Sequence, residues 1–153
     1  MTMYRLTKAA YADAAFSGIG ALHYPGRWHH AGTGIVYASD SPASALLETL
    51  VHTQARALLK QAYVLFKVKL DPERHLLVAE DDLLPIAWDA LLWRPHVQRF
   101  GAQWFRDQDS VVLRVPSAVV PHHCNYLINP QHAQFGELQI EGPLPFKVDP
   151  RLA

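Results

Sequence analysis

The sequence predicts a single α+β domain, spanning residues 1–153, with a mixed or antiparallel sheet. Short strand-like runs recur along the chain, separated by proline and glycine. Two segments that begin at prolines, Pro42 and Pro95, instead space their apolar residues as helices do. With 153 residues, half of them hydrophobic, the chain is long enough for one substantial core.

The first half of the chain supplies two predicted strands and a helix. Met3 to Leu6 predicts an opening strand, and the apolar run from Ile35 to Ser39 predicts a short buried one. Ser41 has the side chain of a helix cap and precedes Pro42, which suits the first helical position. The apolar face of this helix is predicted to contain Ala45, Leu46, Leu47, Leu50 and Val51.

The second half is predicted to add strands around one longer helix. Residues 63–70 alternate lysines with apolar residues, which is typical of a half-exposed strand, and residues 76–78 predict a short one. A helix is predicted from Arg94-Pro95 towards Arg106, with Val97, Phe100, Trp104 and Phe105 on one face. The remaining predicted strands are 111–115, 125–128, 138–140 and 146–148.

Two charged residues near the first helix are candidates for a functional site. Arg27 lies in the loop Gly26-Arg27-Trp28, where a flexible backbone would let its guanidinium bind a phosphate through two hydrogen bonds. Glu48 lies among leucines, and a buried carboxylate requires a partner or a solvated cleft. It could pair with Arg56 or Lys60, or it could face a pocket together with Arg27 and Tyr37.

Composition excludes several classes of protein. Net charge is +0 and pI about 7.1, which argues against direct binding of nucleic acid. Cys124 is the only cysteine, so an internal disulfide is excluded. No apolar run approaches the roughly 20 residues that span a bilayer, and the N-terminal residues lack the apolar core of a signal peptide. We therefore expect a cytoplasmic protein without a membrane segment.

Nine histidines raise the alternative of a metal site, mainly through His122-His123-Cys124 and His132. Adjacent residues on an extended segment point to opposite faces, so His122 and His123 could not easily share an ion, although His122 and Cys124 could. No CxxC or HExxH spacing accompanies them. We expect structural or surface histidines and no metal.

The runs GRWHHAGTGIVYASDSPASALLE and VVLRVPSAVVPHHCNYLINPQH resemble the RES-domain toxin family. The resemblance covers nearly the whole chain, from Tyr4-Arg5-Leu6 to Asp149-Pro150-Arg151, and its motifs occur in the family's order and spacing. It implies a fold similar to that of ADP-ribosyltransferases. It also implies a toxin of a bacterial type II toxin-antitoxin system that acts on NAD.

The resemblance also implies roles for individual residues. The family's arginine, tyrosine, glutamate and serine match Arg27, Tyr37, Glu48 and Ser117, and a second family arginine matches Arg5. Arg27 and Arg5 would bind the pyrophosphate of NAD, Tyr37 would pack on the nicotinamide, and Ser117 would bond to the ribose or carboxamide. The family commonly has an asparagine after the GRW loop, whereas this chain has His29.

The bond that breaks in NAD makes a single carboxylate sufficient. Hydrolysis of ordinary glycosides uses a pair of carboxyl groups. The nicotinamide of NAD, in contrast, is a cationic pyridinium that departs as a neutral molecule and needs no general acid. Glu48 alone could therefore stabilise the oxocarbenium-like ribose. The ribosyl acceptor stays open: water would make the chain a glycohydrolase, inorganic phosphate a phosphorylase, and a protein side chain an ADP-ribosyltransferase.

Each candidate residue also has an ordinary structural interpretation. Tyr37 could be a core tyrosine, Ser117 could shape a strand end, Arg5 could pair with Asp13, and Asn125 could be a turn residue. The chain could also be a non-enzymatic interaction domain that keeps the fold. The joint presence of the arginine, tyrosine and glutamate favours the enzyme.

The resemblance further implies a protein partner. An enzyme that drains NAD would arrest its own host unless something covers its pocket. The expected partner is an antitoxin with a Xre-like helix-turn-helix domain, whose other end blocks the NAD cleft. DNA would then be contacted only through the antitoxin, in agreement with the zero net charge of this chain.

Overall fold

Seven strands form one mixed sheet in a computed structural model that describes residues 1–152, apart from the side chain of Ala55. The strands are β1 (Thr2–Lys8), β2 (Val36–Ser39), β3 (Tyr63–Lys69), β4 (Leu76–Val78), β5 (Val112–Pro116), β6 (Cys124–Ile128) and β7 (Gln139–Phe146). Their order in the sheet is β4-β5-β6-β2-β1-β3-β7. The β4–β5 pair is parallel and the other neighbours are antiparallel.

The described helices are α1 (Ile19–His23), α2 (Pro42–His52), α3 (Ala55–Leu59), α4 (Pro72–His75) and α5 (Pro95–Asp107). Short 3₁₀ helices lie at Ala9–Ala14, Asp81–Leu83, Phe135–Glu137 and Pro150–Leu152. Ser41 caps α2 as predicted, because its Oγ accepts the backbone N–H of Ser44 at 3.0 Å. Across residues 1–152, the helices are too short or too polar to traverse a bilayer.

The sheet has a weak seam between β1 and β2. These strands share a single pair, Tyr4 with Ser39, whereas β1 pairs with β3 along its whole length. Sheet neighbours normally stay together through repeated backbone hydrogen bonds. The chain therefore leaves a gap beside β2, and α2 covers this region through its contacts with β1 and β2.

Apolar side chains pack against both faces of the sheet, as the alternation of strand residues requires. On one face a cluster includes Met3, Val68, Val112 and Ile128. On the other face Leu113, Val115 and Leu127 pack with residues of α5 and with Trp28. The loop that contains Arg27 is thus anchored in the second cluster by its own tryptophan.

Helix α5 and this loop are in unusually close backbone contact. A Cβ added to the buried Gly101 would lie 1.8 Å from the carbonyl oxygen of Trp28. Trp28 stacks on Trp88 with ring centroids 6.2 Å apart, and it also contacts Phe100. Only glycine allows α5 to approach the loop this closely.

The α+β fold class with a mixed sheet is confirmed, and most predicted elements begin or end within two residues of the observed ones. The two strands predicted at 138–140 and 146–148 are wrong, because Gln139–Phe146 forms one strand. This strand lies at the sheet edge and pairs with β3 through an irregular register, a setting that tolerates Pro143 and Gly142.

The predicted apolar face of α2 is also partly wrong. Leu47 and Val51 are 43% and 58% exposed, so they do not belong to the core. The residues of the helix that line a cleft are Ala45, Glu48, Thr49, Val51 and His52. Helical spacing identified the helix correctly, and Ala45, Leu46 and Leu50 of the predicted face are buried or half-buried. Hydrophobicity did not identify Glu48 and Thr49 as inward-facing, because this side lines a cleft that is partly polar.

We expect the substitution Gly101→Ala to destabilise the fold by about 1–3 kcal/mol or more, which is the usual cost of overpacking. The added methyl group would collide with backbone rather than with a side chain that could move. Urea unfolding measures the change. Gly20→Ala is the matched control, since a Cβ at this exposed helical glycine meets nothing within 4 Å. Equal stability of both variants would contradict the close contact.

Candidate functional site

A large cleft opens at the seam of the sheet. Its volume is about 1280 Å³, which exceeds the roughly 300–1,000 Å³ of ordinary small-molecule pockets. The walls come from β1, β2, the inner side of α2, the loop that contains Arg27, and the segment 89–93. Four sequence-predicted site residues line it: Arg5, Arg27, Tyr37 and Glu48.

Glu48 is held by two neutral hydrogen-bond donors on one of its oxygens. Its Oε1 accepts the Ser117 hydroxyl at 2.6 Å and the Asn125 amide at 2.7 Å. Its Oε2 has no hydrogen-bond partner among residues 1–152, and the side chain lines the cleft. No salt bridge to Glu48 occurs in that range, so the alternative pairing with Arg56 or Lys60 is not observed.

The hydroxyl of Ser117 can donate only towards Glu48. Its oxygen already accepts the backbone N–H groups of Val119 and Val120, at 3.1 and 2.9 Å. A serine hydroxyl carries a single proton, and here Ser117 donates it in the hydrogen bond to Glu48. Ser117 is buried, and the cleft wall beside it consists of Ala118 and Val119. Seen from the cleft, Ser117 therefore lies behind the Glu48 carboxylate.

Asn125 is a site residue that sequence reasoning missed, because it was interpreted first as a turn residue. It lies within β6, where it is paired with Ser39 of β2 and Val115 of β5. Its Oδ1 accepts the Ser39 hydroxyl at 3.1 Å, which directs its amide N–H towards Glu48. The available signal was a polar residue inside an otherwise apolar strand, which usually has a specific partner.

Arg27 reaches across the cleft to the segment that follows Leu84. Its Nη1 donates to the carbonyl oxygens of Trp88 and Ala90, at 2.9 and 2.7 Å. A guanidinium has five N–H donors, so three remain on Nε and Nη2. Burial lowers the pKa of Arg27, while the negative charges of Glu48 and Asp89 oppose this shift.

Arg5 crosses the seam of the sheet instead of pairing with Asp13. Its Nε donates to the Ala15 carbonyl at 2.7 Å, and its Nη1 donates to the Tyr37 carbonyl at 2.9 Å. Burial lowers the pKa of this guanidinium to about 10, so it remains charged at neutral pH. Arg5 thus connects β1 to β2 where their backbone ladder stops.

Tyr37 forms part of the wall next to these charges. Its hydroxyl lies 2.6 Å from Nδ1 of His29, and the two rings are 5.5 Å apart. Burial raises the pKa of the Tyr37 hydroxyl, so the group keeps its proton at neutral pH. The ring is therefore a neutral aromatic surface in the cleft that Arg5 and Arg27 also line.

The histidine and cysteine groups do not assemble into a metal site in the described part of the chain, where no cluster of three ligand-type side chains was found. His123 bonds to Asp40 and Ser44 through the same ring nitrogen, Nδ1. His132 bonds to the carbonyl of Gln108 and accepts the N–H of Gln134. These contacts are structural.

The arrangement combines the groups that a cationic, phosphate-bearing ligand with an aromatic ring would need. A carboxylate oxygen is available to stabilise developing positive charge, and an aromatic ring lines the same cleft. Two guanidinium groups in the same cleft provide positive charge for phosphate. A second carboxylate in the cleft wall is Asp89, which is exposed and whose charge, like that of Glu48, acts on Arg27.

Comparisons with known proteins identify the family. The RES domain family model matches residues 2–149. "Toxin Res" of Photorhabdus laumondii is 37% identical over 99% of this chain and 97% of its own length. The "Prs ADP-ribosylating toxin" of Sphingobium sp. is 36% identical over 93% of this chain and 89% of its own.

The fold is also found in a solved structure. A chain in the crystal structure of the M. tuberculosis MbcT-MbcA toxin-antitoxin complex superposes with a TM-score of 0.75. The match covers 99% of this chain and 85% of that one, at 23% identity. The predicted resemblance is confirmed by the family model and by the relatives, and the chain belongs to the RES domain family of toxins.

Proposed function

We propose that this toxin cleaves NAD at the bond between nicotinamide and ribose, which would deplete cellular NAD and arrest growth. The observation that carries the proposal is the carboxylate of Glu48. One of its oxygens is fixed by Ser117 and Asn125, and the side chain faces a cleft that also contains Arg27 and Tyr37. Fixed charge aimed at a developing cation is an effective way to stabilise a transition state.

This reaction needs one carboxylate, and in our proposal Glu48 supplies it. Nicotinamide leaves as a neutral molecule, so no acid has to protonate it, and positive charge accumulates on the ribose. In our proposal Glu48 Oε2 stabilises that charge and orients the attacking acceptor. In this proposal Ser117 and Asn125 act by holding Glu48 in place, and the ligand contact expected of Ser117 from the family resemblance is replaced by its hydrogen bond to Glu48.

The arginines and Tyr37 would bind the rest of the substrate. The three unused donors of Arg27 can form a bidentate contact with the pyrophosphate while its Nη1 stays on the two carbonyls. Arg5 adds positive charge from the floor of the cleft, at the seam. Tyr37 would pack against the nicotinamide ring. The proposal requires NAD as substrate and no metal.

A second candidate reaction is transfer of ADP-ribose to a protein of the host. A relative named as an ADP-ribosylating toxin, at 36% identity, supports this alternative. Both reactions would break the same bond between nicotinamide and ribose, with the help of the same carboxylate. They differ in the acceptor, which is water or inorganic phosphate in the first and a protein side chain in the second.

We also propose a cytoplasmic antitoxin partner that blocks the cleft, of the Xre-like helix-turn-helix type, through which any contact with DNA would be made. The fold is shared with a chain of a toxin-antitoxin complex. Ile86, Leu91 and Leu92 are 86%, 94% and 77% exposed, and the last two line the cleft. Apolar groups exposed together at a rim are typical of a protein interface.

The substitution Glu48→Gln should lower the rate of nicotinamide release from NAD by about a hundred- to thousandfold, the loss typical of one preorganised electrostatic group. Glutamine is similar in size, and its amide oxygen can still accept from Ser117 and Asn125. The measurement is chromatographic quantification of nicotinamide. Mass analysis with and without phosphate or cell extract identifies the acceptor.

The matched control for this substitution is Glu73→Gln, an exposed glutamate in α4. It should retain the activity of the parent protein. Equal turnover by Glu48→Gln and the parent would remove Glu48 as the catalytic carboxylate. Release of nicotinamide only in cell extract, with labelled protein as product, would favour the transferase.

The substitution Arg27→Ala should weaken NAD binding by at least about tenfold, because charge-assisted hydrogen bonds contribute roughly 1.5–3 kcal/mol. Glu48→Gln should leave binding nearly unchanged, since Glu48 acts mainly in the transition state. Calorimetric titration with NAD compares both. Arg99→Ala, at an exposed position of α5, is the control. Unchanged affinity of Arg27→Ala would exclude Arg27 from the phosphate site.

Expression of this chain alone should stop bacterial growth and lower cellular NAD, and co-expression of its antitoxin should restore both. The reason is that an occupied cleft cannot admit NAD. The Glu48→Gln variant is the control and should be harmless alone. Harmless expression of the folded parent without a partner would contradict the toxin activity and favour the non-enzymatic interaction domain.

A further inference from the structure

His29 is a buried histidine with a partner on each ring nitrogen. It is 3% exposed and belongs to the same loop as Arg27. Its Nε2 lies 2.8 Å from the Tyr24 carbonyl oxygen, and its Nδ1 lies 2.6 Å from the Tyr37 hydroxyl. Neither nitrogen is free to react with a substrate.

These contacts define where the protons are. A carbonyl oxygen only accepts hydrogen bonds, so Nε2 of His29 must carry a hydrogen. Burial lowers the pKa of His29 although the bond to the Tyr24 carbonyl opposes this, and the lowered pKa favours the neutral ring at pH 7. Nδ1 of a neutral ring is then an acceptor, and the Tyr37 hydroxyl donates to it.

Tyr37 is consequently held at both ends. Its backbone carbonyl accepts from Arg5, and its hydroxyl proton is committed to His29. The loop is closed tightly over this pair, since a Cβ on Gly26 would lie 2.6 Å from Cε1 of His29 and 2.9 Å from the Tyr37 hydroxyl oxygen. The tyrosine ring therefore has little freedom to turn.

We infer that His29 is a positioning residue for NAD cleavage, which accepts a hydrogen bond from the Tyr37 hydroxyl and thereby fixes the phenol ring as the wall that orients the nicotinamide. The inference rests on the proposed function. His29 acts through Tyr37 and makes no contact with the substrate. Correct orientation of a leaving group matters because a misplacement of about 1 Å can cost roughly a hundredfold in rate.

A double-mutant cycle tests this coupling in the intact chain. His29→Leu removes the acceptor, and Tyr37→Phe removes the hydroxyl but keeps the ring. Each should lower kcat/KM for NAD by about ten- to a hundredfold, and the double variant should lose no more than either single one. Because the two residues act as a unit, their effects should not multiply.

A conservative variant separates positioning from mere packing. The side-chain oxygen of asparagine can occupy the place of Nδ1 and accept from Tyr37, so His29→Asn should restore kcat/KM to within about twofold of the parent. Losses that multiply in the double variant, or an asparagine variant as impaired as the leucine variant, would overturn the inference. If the parent itself does not cleave NAD, the proposed function fails, which is a different outcome.

A measurement without NAD covers the case in which His29→Leu does not fold. Nitrogen-15 NMR of the histidine rings in the parent should show a protonated Nε2 and an unprotonated Nδ1 for His29 at pH 7. Tyr37→Phe should shift the Nδ1 resonance. A protonated Nδ1, or a resonance unaffected by Tyr37→Phe, would overturn the hydrogen bond on which the inference depends.

Discussion

The guanidinium of Arg5 is the interaction on which the cleft depends. Strands β1 and β2 share one pair, so side chains that join the two halves of the sheet have to supplement the backbone ladder there, together with α2. Arg5 does so by donating to the carbonyls of Ala15 and Tyr37. A pKa of about 10 leaves it charged at neutral pH, which strengthens both bonds. The seam can thus stay open as a cleft without dividing the domain.

In the network of polar side chains around the cleft, donor and acceptor cannot be exchanged in any of the hydrogen bonds. Ser117 and Ser39 have single protons, and these determine the orientation of Glu48 and Asn125. Buried polar side-chain atoms all have partners throughout the described residues. Such a network costs no reorganisation during a reaction, because its dipoles are already aligned. This is the physical reason to expect chemistry at Glu48 rather than a structural carboxylate.

Local signals predicted much of the fold and part of the site. Alternation predicted β3, and the serine cap followed by proline predicted the start of α2. The irregular pairing that keeps Gly142 and Pro143 within one strand could not be predicted, because it depends on β3. Asn125 was missed for a similar reason: its partners Ser39 and Glu48 are distant in sequence. Without the family resemblance, Arg27, Tyr37 and Glu48 were ambiguous, since no local pattern distinguishes a pocket from a core.

The loop at residues 26–29 contributes both to the packing of the core and to the walls of the candidate site. Trp28 belongs to the core beneath α5, Arg27 reaches the carbonyls of Trp88 and Ala90, and His29 bonds to Tyr37. Three consecutive residues therefore connect the core, the rim and the aromatic wall. A rigid loop of this kind holds its side chains more precisely than an exposed one, because the packing of Trp28 limits the movement of its neighbours. Substitutions in the core below the loop should consequently alter the site as well as the stability of the domain.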